Sequence, residues 1–151
     1  MEIIYISPKI EIRLESLELN IINSLEMMIF GNSRVTKSRI EKIRQQNPLL
    51  LVAYIDDNPI GFKLGYVIEG GQTFFSWLGG VGAAFRRQGI AQSLLDAQED
   101  HVRGMGVSAI YFTSFDRFPA MIELGKKNNY IKVKTALRDG ENKYWFEKQL
   151  L

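Results

Sequence analysis

Apolar positions recur along the chain at two periods, two and three-to-four, and the switches between them divide it into elements. The run "EIIYIS" at residues 2–7 is rich in β-formers and ends at Pro8, which predicts a first strand. From Glu11 to about Phe30, Leu14, Leu17, Ile21, Leu25 and Met28 recur at spacings of three and four, and Gly31-Asn32 supplies a stop, which predicts a helix over that whole span. Thr36 can cap a shorter helix running to about Gln46, closed by Asn47-Pro48. "LLLVAYI" reads as a buried strand, and "DDNP" turns it into a partner in which Ile60, Phe62, Leu64, Tyr66 and Ile68 alternate with Gly61, Lys63 and Gly65.

Gly70-Gly71 turns the chain again into "TFFSWLGGV", a third consecutive strand whose end is loosened by Gly79 and Gly80. An amphipathic helix follows, with Ile90, Ala91, Leu94, Leu95, Gln98 and Val102 on one face, Asp96, Glu99, Asp100 and Arg103 largely opposite, and Gly104 at its end. "VSAIYFTSF" is then a strand, and a helix runs from about Pro119 to Asn128 with proline in its first turn. "YIKVKTAL" and "KYWFEKQL" close the chain as a hairpin about Asp139-Gly140. The order is β-α-α-β-β-β-α-β-α-β-β, without an internal repeat.

Composition narrows the classes of function. The 151 residues, 46% hydrophobic and 24% charged, suit a single domain over residues 1–151. A net charge of +2 argues against general binding to nucleic acid or membranes, so any basic function is local. The absence of cysteine removes disulfides and thiolate chemistry, and one histidine with scattered carboxylates gives no expectation of a metal site. His101, late on a helix among Glu99, Asp100 and Arg103, reads as a solvated or locally paired side chain. The opening residues lack the apolar core of a signal peptide and no apolar run is long enough to span a bilayer, so the expected location is the cytoplasm.

The segment "GGVGAAFRRQGIAQSLL", Gly79 to Leu95, is the one that asks for chemistry. A helix N-terminus offers backbone N–H groups without intrahelical partners and the positive end of the helix dipole, which together suit an anion. Gly89 permits close backbone approach, Ala91 keeps the first turn thin, and Arg86 and Arg87 add charge. The other reading is a turn shaped by glycines with both arginines solvated. Phe85 stands where a dinucleotide fingerprint needs its third small residue, and no Lys-Ser/Thr pair follows the glycines, so neither NAD nor ATP is favoured.

In element order, and in this segment, the chain resembles the GCN5-related N-acetyltransferase superfamily. Arg86, Gly89 and Ala91 fill the fixed positions of its Arg/Gln-x-x-Gly-x-Gly/Ala signature. The resemblance spans nearly the whole chain, with Asn129-Tyr130 where members usually carry Gly-Phe, and with "WFEKQL" as the terminal strand. It implies an α/β (α+β) fold: a mixed, mostly antiparallel central sheet of about seven strands with helices on both faces. It also implies acetyl-CoA as cosubstrate, with the amides of Arg86, Arg87, Gln88, Gly89, Ile90 and Ala91 on the pyrophosphate and the Val81 backbone at a splayed strand end, often bulged, on the pantetheine and thioester. The implied reaction is direct transfer of an acetyl group to a primary amine, with no acyl-enzyme because there is no cysteine.

The usual catalytic side chains are missing. Phe75 stands in place of a general-base glutamate and Gly125 in place of a general-acid tyrosine, which leaves the Val81 backbone, Ser76 and Asp116 as the catalytic candidates. Asp116 replaces a common asparagine; a contact to pantetheine or water, a cap on the next helix and help in deprotonating an amine are all open to it. Phe30, Tyr66, Glu69 and Trp77 fall where the resemblance puts the acceptor groove, with Ser76 beside them; for the aromatics core packing is the competing role. The acceptor is a small-molecule amine or the amine of a peptide or protein. The missing glutamate and tyrosine keep a second reading open, a module that senses acyl-CoA without turning it over, and a third is an interaction domain that binds no cofactor. "YWFEKQL" is open to core, edge or homodimer roles.

Overall fold

One eight-stranded sheet, ordered β1-β2-β3-β4-β5-β6-β8-β7, carries the whole arrangement. The computed structural model describes residues 2–6, 9–68 and 70–150. In chain order the elements are β1 (Glu2–Ile6), β2 (Glu11–Glu15), α1 (Leu19–Phe30), α2 (Lys37–Ile43), β3 (Leu49–Ile55), β4 (Asn58–Val67), β5 (Thr73–Val81), a 3-10 turn (Ala83–Phe85), α3 (Ile90–Arg103), β6 (Ala109–Phe115), α4 (Pro119–Lys127), β7 (Ile131–Arg138) and β8 (Glu141–Gln149). Every neighbouring pair is antiparallel except β5 and β6, which α3 joins by a parallel crossover.

The eighth strand corrects the helix expected over residues 11–30. Glu11–Glu15 pairs with β3, from Glu11 opposite Tyr54 to Glu15 opposite Leu50, and α1 starts only at Leu19. The sequence Glu-Ile-Arg-Leu-Glu alternates at period two and buries Ile12 completely, while the chance spacing of Leu14 and Leu17 mimics a helix. Gly31, in the left-handed region, stops α1 as expected, and its N–H reaches the Met27 carbonyl. Thr36 caps α2 by accepting the Arg39 N–H, and that helix ends at Ile43 rather than Gln46.

Two cores lie on opposite faces of the sheet. On one, Ile22 and Leu25 of α1 and Ile40 and Ile43 of α2 cover Leu50, Val52, Phe62 and Leu64. On the other, Leu94, Leu95 and Val102 of α3 pack with Leu51, Val67, Phe74, Ile110, Phe112 and Phe146, and α4 adds Met121, Ile122 and Leu124. Single extra residues shift the alternation in four ladders, two of them bordering the site: Ile60 lies between the Gly61–Ala53 and Pro59–Tyr54 pairs, and Trp77 between the Ser76–Gly65 and Leu78–Leu64 pairs.

Buried polar groups tie α3 to the last hairpin. Glu99 sits inside, against its expected place on the solvent face, because its two oxygens accept from the Tyr130 hydroxyl at 2.9 Å and the Lys148 ammonium at 2.7 Å. Burial and the neighbouring carboxylate push the Tyr130 phenol far up. Ala91, expected on the buried face, is exposed in the first turn of α3. Lys63 is buried on the α3 side of β4, its stem lying across Gly79, and burial lowers its pKa to about 8 although the charge of Glu99 opposes the shift.

These contacts generate two expectations. A methyl group at Gly125 would stand 2.5 Å from the Phe112 ring, so Gly125→Ala should destabilise the fold by about 1–3 kcal/mol in urea unfolding. Below about pH 8 the charged Lys63 opposes folding in full. As pH rises from there to the ordinary lysine value, the unfolded chain holds a proton that the folded one lacks, so this contribution to stability increases with pH. Lys63→Met should therefore be more stable than the parent by roughly 3 kcal/mol at pH 7, with the advantage fading towards pH 10.5 in paired unfolding curves.

Candidate functional site

The site begins where two strands part. β5 pairs with β6 only at Thr73–Ala109, Phe74–Ile110 and Phe75–Tyr111, and beyond that it has β4 alone for a neighbour. The Phe75 and Tyr111 rings stack at 4.5 Å where the cleft opens. The Gly82 N–H donates to the Ile60 carbonyl at 2.8 Å, which sets the phase of the β4–β5 ladder. Phe62 and Gly80 then form a hydrogen-bonded pair, whereas Val81 opposite Gly61 and Gly79 opposite Lys63 turn their N–H and C=O groups away from β4, into the cleft. Arg86 Nε donates to the Val81 carbonyl at 3.1 Å and so fastens the loop to the strand. Val81 was legible from its place before the signature; Gly79, which shares its orientation, was not, because ladder phase depends on strand pairing. The extra residue of β5 is Trp77, four residues upstream of Val81, and not one of the two glycines between them.

The loop from Val81 to Ile90 bends back through two left-handed residues, Arg87 at φ 63° and Gly89 at φ 80°. Gly89 caps α3 without a side-chain bond, and the first intrahelical bond runs from the Ser93 N–H to the Gly89 carbonyl at 3.0 Å. The N–H groups of Ile90, Ala91 and Gln92 therefore point out of the helix end without intrahelical partners. Arg86, Arg87, Gln88, Gly89 and Ala91 are exposed, while the Ile90 side chain is anchored in the core. A Cβ at Gly89 would touch nothing within 4 Å, so its positive φ is what calls for glycine there, and the space in front of the helix end stays open. Gln92 and Asn128 exchange amide bonds of 2.8 and 2.9 Å, bracing the first turn of α3 against the end of α4. Asn129 holds φ 70°, which accounts for the glycine usual at that position.

The α1/α2 face of the cleft is aromatic. A Cβ at Gly80 would stand 2.7 Å from Ile29 and 3.4 Å from the Phe30 ring, so α1 rests directly on the β5 backbone and Phe30 forms a half-exposed rim. Tyr66 meets Trp77 edge-on with ring centres 6.1 Å apart. Arg39 of α2, which sequence reasoning overlooked, donates from Nη2 to the Tyr66 hydroxyl at 2.7 Å and lies 4.4 Å over the Trp77 ring.

Ser76 and Asp116 lie apart from that face. Ser76 precedes the bulge and is buried on the α3 side of the sheet, away from Phe75, Trp77 and Leu78. Asp116 accepts a hydrogen bond from the Tyr144 hydroxyl, which raises that phenol's pKa. It does not cap α4, whose N-cap is Phe118 with no side-chain bond. Glu69 lies outside the described residues. Gly125 is filled over by Phe112, leaving no room for a larger side chain. Among the described residues no group of three or more His, Cys, Asp or Glu could hold a metal ion.

Comparison with curated proteins finds no match. Among solved structures, Ard1 from Thermoplasma volcanium superposes with a TM-score of 0.77 at 17% identity, over 95% of this chain and 99% of that one. The ribosomal-protein-S18-alanine N-acetyltransferase from Escherichia coli gives 0.75 at 16% identity, over 92% and 94%. An acetyltransferase from Elizabethkingia anophelis with acetyl-CoA bound gives 0.72 at 14%, over 95% and 99%. At these identities the likeness is one of fold. The model of the acetyltransferase (GNAT) family matches residues 19–129, covering α1 to α4 and with them both the parted strands and the signature helix, and the chain belongs to that family.

Proposed function

We propose that this protein transfers the acetyl group of acetyl-CoA directly to a primary amine. The observation that carries the reading is two unfilled sets of backbone donors at the two ends of one short loop: the N–H groups at the start of α3, and those of Val81 and Gly79 on the open edge of β5. The first set suits a pyrophosphate, and the exposed Arg86 and Arg87 add charge at its edge. The second suits the amide groups of a pantetheine arm, with the Gly79 N–H deeper in the cleft than Val81 and able to donate to a thioester carbonyl. The Elizabethkingia anophelis structure, with acetyl-CoA bound, supports this choice of cosubstrate.

When bound, acetyl-CoA supplies an activated acyl carbon. What the chain contributes is positioning and polarisation: the strand edge holds the carbonyl, and the aromatic face excludes water from the approaching amine. The substrates named for the Escherichia coli and other relatives support an amine acceptor, small or polypeptide. The packed Phe75 and Gly125, in place of an ionisable pair, favour a second reading in which acyl-CoA is bound and sensed without transfer.

Acetyl-CoA and CoA, but not ATP, should raise the unfolding temperature, the stabilisation reaching about 2.7 kcal/mol at a hundredfold excess over Kd. Thiol release that depends on added amine separates the enzyme from the sensor. Gly89→Val forces a branched residue towards φ 80°, at a strain of about 1–3 kcal/mol, and brings a side chain to the helix end. It should stay folded by circular dichroism and bind acetyl-CoA at least about tenfold more weakly. Unchanged affinity in that folded variant would remove the cradle from the proposal.

A further inference from the structure

Arg39 is half-buried on the acceptor face, and its donors are mostly unfilled. Of its five N–H groups, structure accounts for one bond, from Nη2 to the Tyr66 hydroxyl at 2.7 Å. Its Nε is buried without a hydrogen-bond partner, and no described carboxylate forms an ion pair with it. Arg13, by comparison, meets both Glu11 and Asp57. The guanidinium plane is nevertheless held: it lies 4.4 Å from the centre of the Trp77 ring and 5.8 Å from that of Tyr66. A cation oriented by two aromatic rings and one phenol, with no acid of its own among the described residues, is a preorganised fork waiting for an anion.

Its place in the sheet says which anion matters. Trp77 is the bulged residue of β5, two positions before Gly79, a separation of about 7 Å along a strand. Its ring belongs to the α1/α2 face, as do Phe75 and Leu78. An acceptor whose amine reached the Gly79 end of the cleft would thus bring a group a few bonds away to Arg39. We infer that the acceptor carries a carboxylate, bound by Arg39, a few bonds from the amine that is acetylated. One planar fork matches the two oxygens and single charge of a carboxylate. The inference rests on the acetyl-transfer reading for its geometry.

The test uses the purified protein with saturating acetyl-CoA and matched acceptor pairs: β-alanine, γ-aminobutyrate and the dipeptide glycylglycine, each against its carboxamide, with phosphoethanolamine as a differently charged amine. Thiol release should favour the acids at least tenfold in kcat/KM, mainly through KM. That preference should fall to about twofold in Arg39→Gln and partly recover in Arg39→Lys. Tyr66→Phe, which removes the bond fixing the guanidinium, should weaken the preference less and serves if Arg39→Gln does not fold. Acetyl-CoA affinity should be the same in all variants. Equal use of acids and amides, a preference that survives Arg39→Gln, or a preference for phosphoethanolamine lost on that substitution would each overturn the carboxylate assignment. If no amine releases thiol, the transfer reading fails by itself, and calorimetric titration of the acids into the acetyl-CoA complex decides the rest. Binding abolished by Arg39→Gln would uphold the anion site, and absence of binding would end it.

Discussion

The parting of β5 from β6 after Phe75 and Tyr111 is the constraint around which the rest of the molecule is arranged. Inside a sheet every backbone donor and acceptor finds a partner on the next strand, so a strand that keeps only one neighbour exposes a row of unfilled groups. Here the row falls at Gly79 and at the Val81 N–H, in the middle of an eight-stranded sheet with helices on both faces, the Val81 carbonyl being taken by Arg86. A bound chain with amide groups of its own can complete that ladder as a missing strand would. On the proposed function, backbone groups thus hold most of a long flexible cosubstrate.

Close packing on each side keeps the cleft in shape. Gly80 lets α1 rest on the strand, Gly125 lets α4 close over Phe112, and the exchanged amides of Gln92 and Asn128 hold the first turn of α3 beside the end of α4. The Glu99 network with Tyr130 and Lys148 fastens α3 to the terminal hairpin from below. These contacts fix the helix dipole and its free N–H groups at the mouth of the cleft. Preorganised dipoles of this kind act on a bound anion or a developing oxyanion without having to move.

The two faces of the cleft then divide the work. The α3 side presents backbone and arginines of the loop, suited to phosphate; the α1/α2 side presents rings, with Arg39 as its oriented cation. The loop side is local in sequence and shared with the family signature. The ring side is assembled from α2 and the β4–β5 hairpin that follows β3, and on the proposed function this is the side on which an acceptor would be discriminated.

Local physics made much of this legible from the amino-acid sequence. The amphipathic period of α3, the glycine at its left-handed cap, the Thr36 cap and the glycine-marked turns all depend on residues within a few positions of one another. The order of elements followed from them, apart from residues 11–15, whose five-residue alternation was too short to outweigh leucines at helical spacing. Only tertiary structure decided which face each side chain takes after a bulge. One extra residue at Trp77 leaves the consecutive Trp77 and Leu78 on the same α1/α2 face as Phe75, and a shift of one position reverses every later side chain in a strand of period two. The hydrogen-bond partners of Glu99, Asp116 and Arg39 lie 27 to 49 residues away for the same reason. A charged side chain's partner is set by which strands and helices the fold brings alongside it, and spacing along the chain carries no record of that.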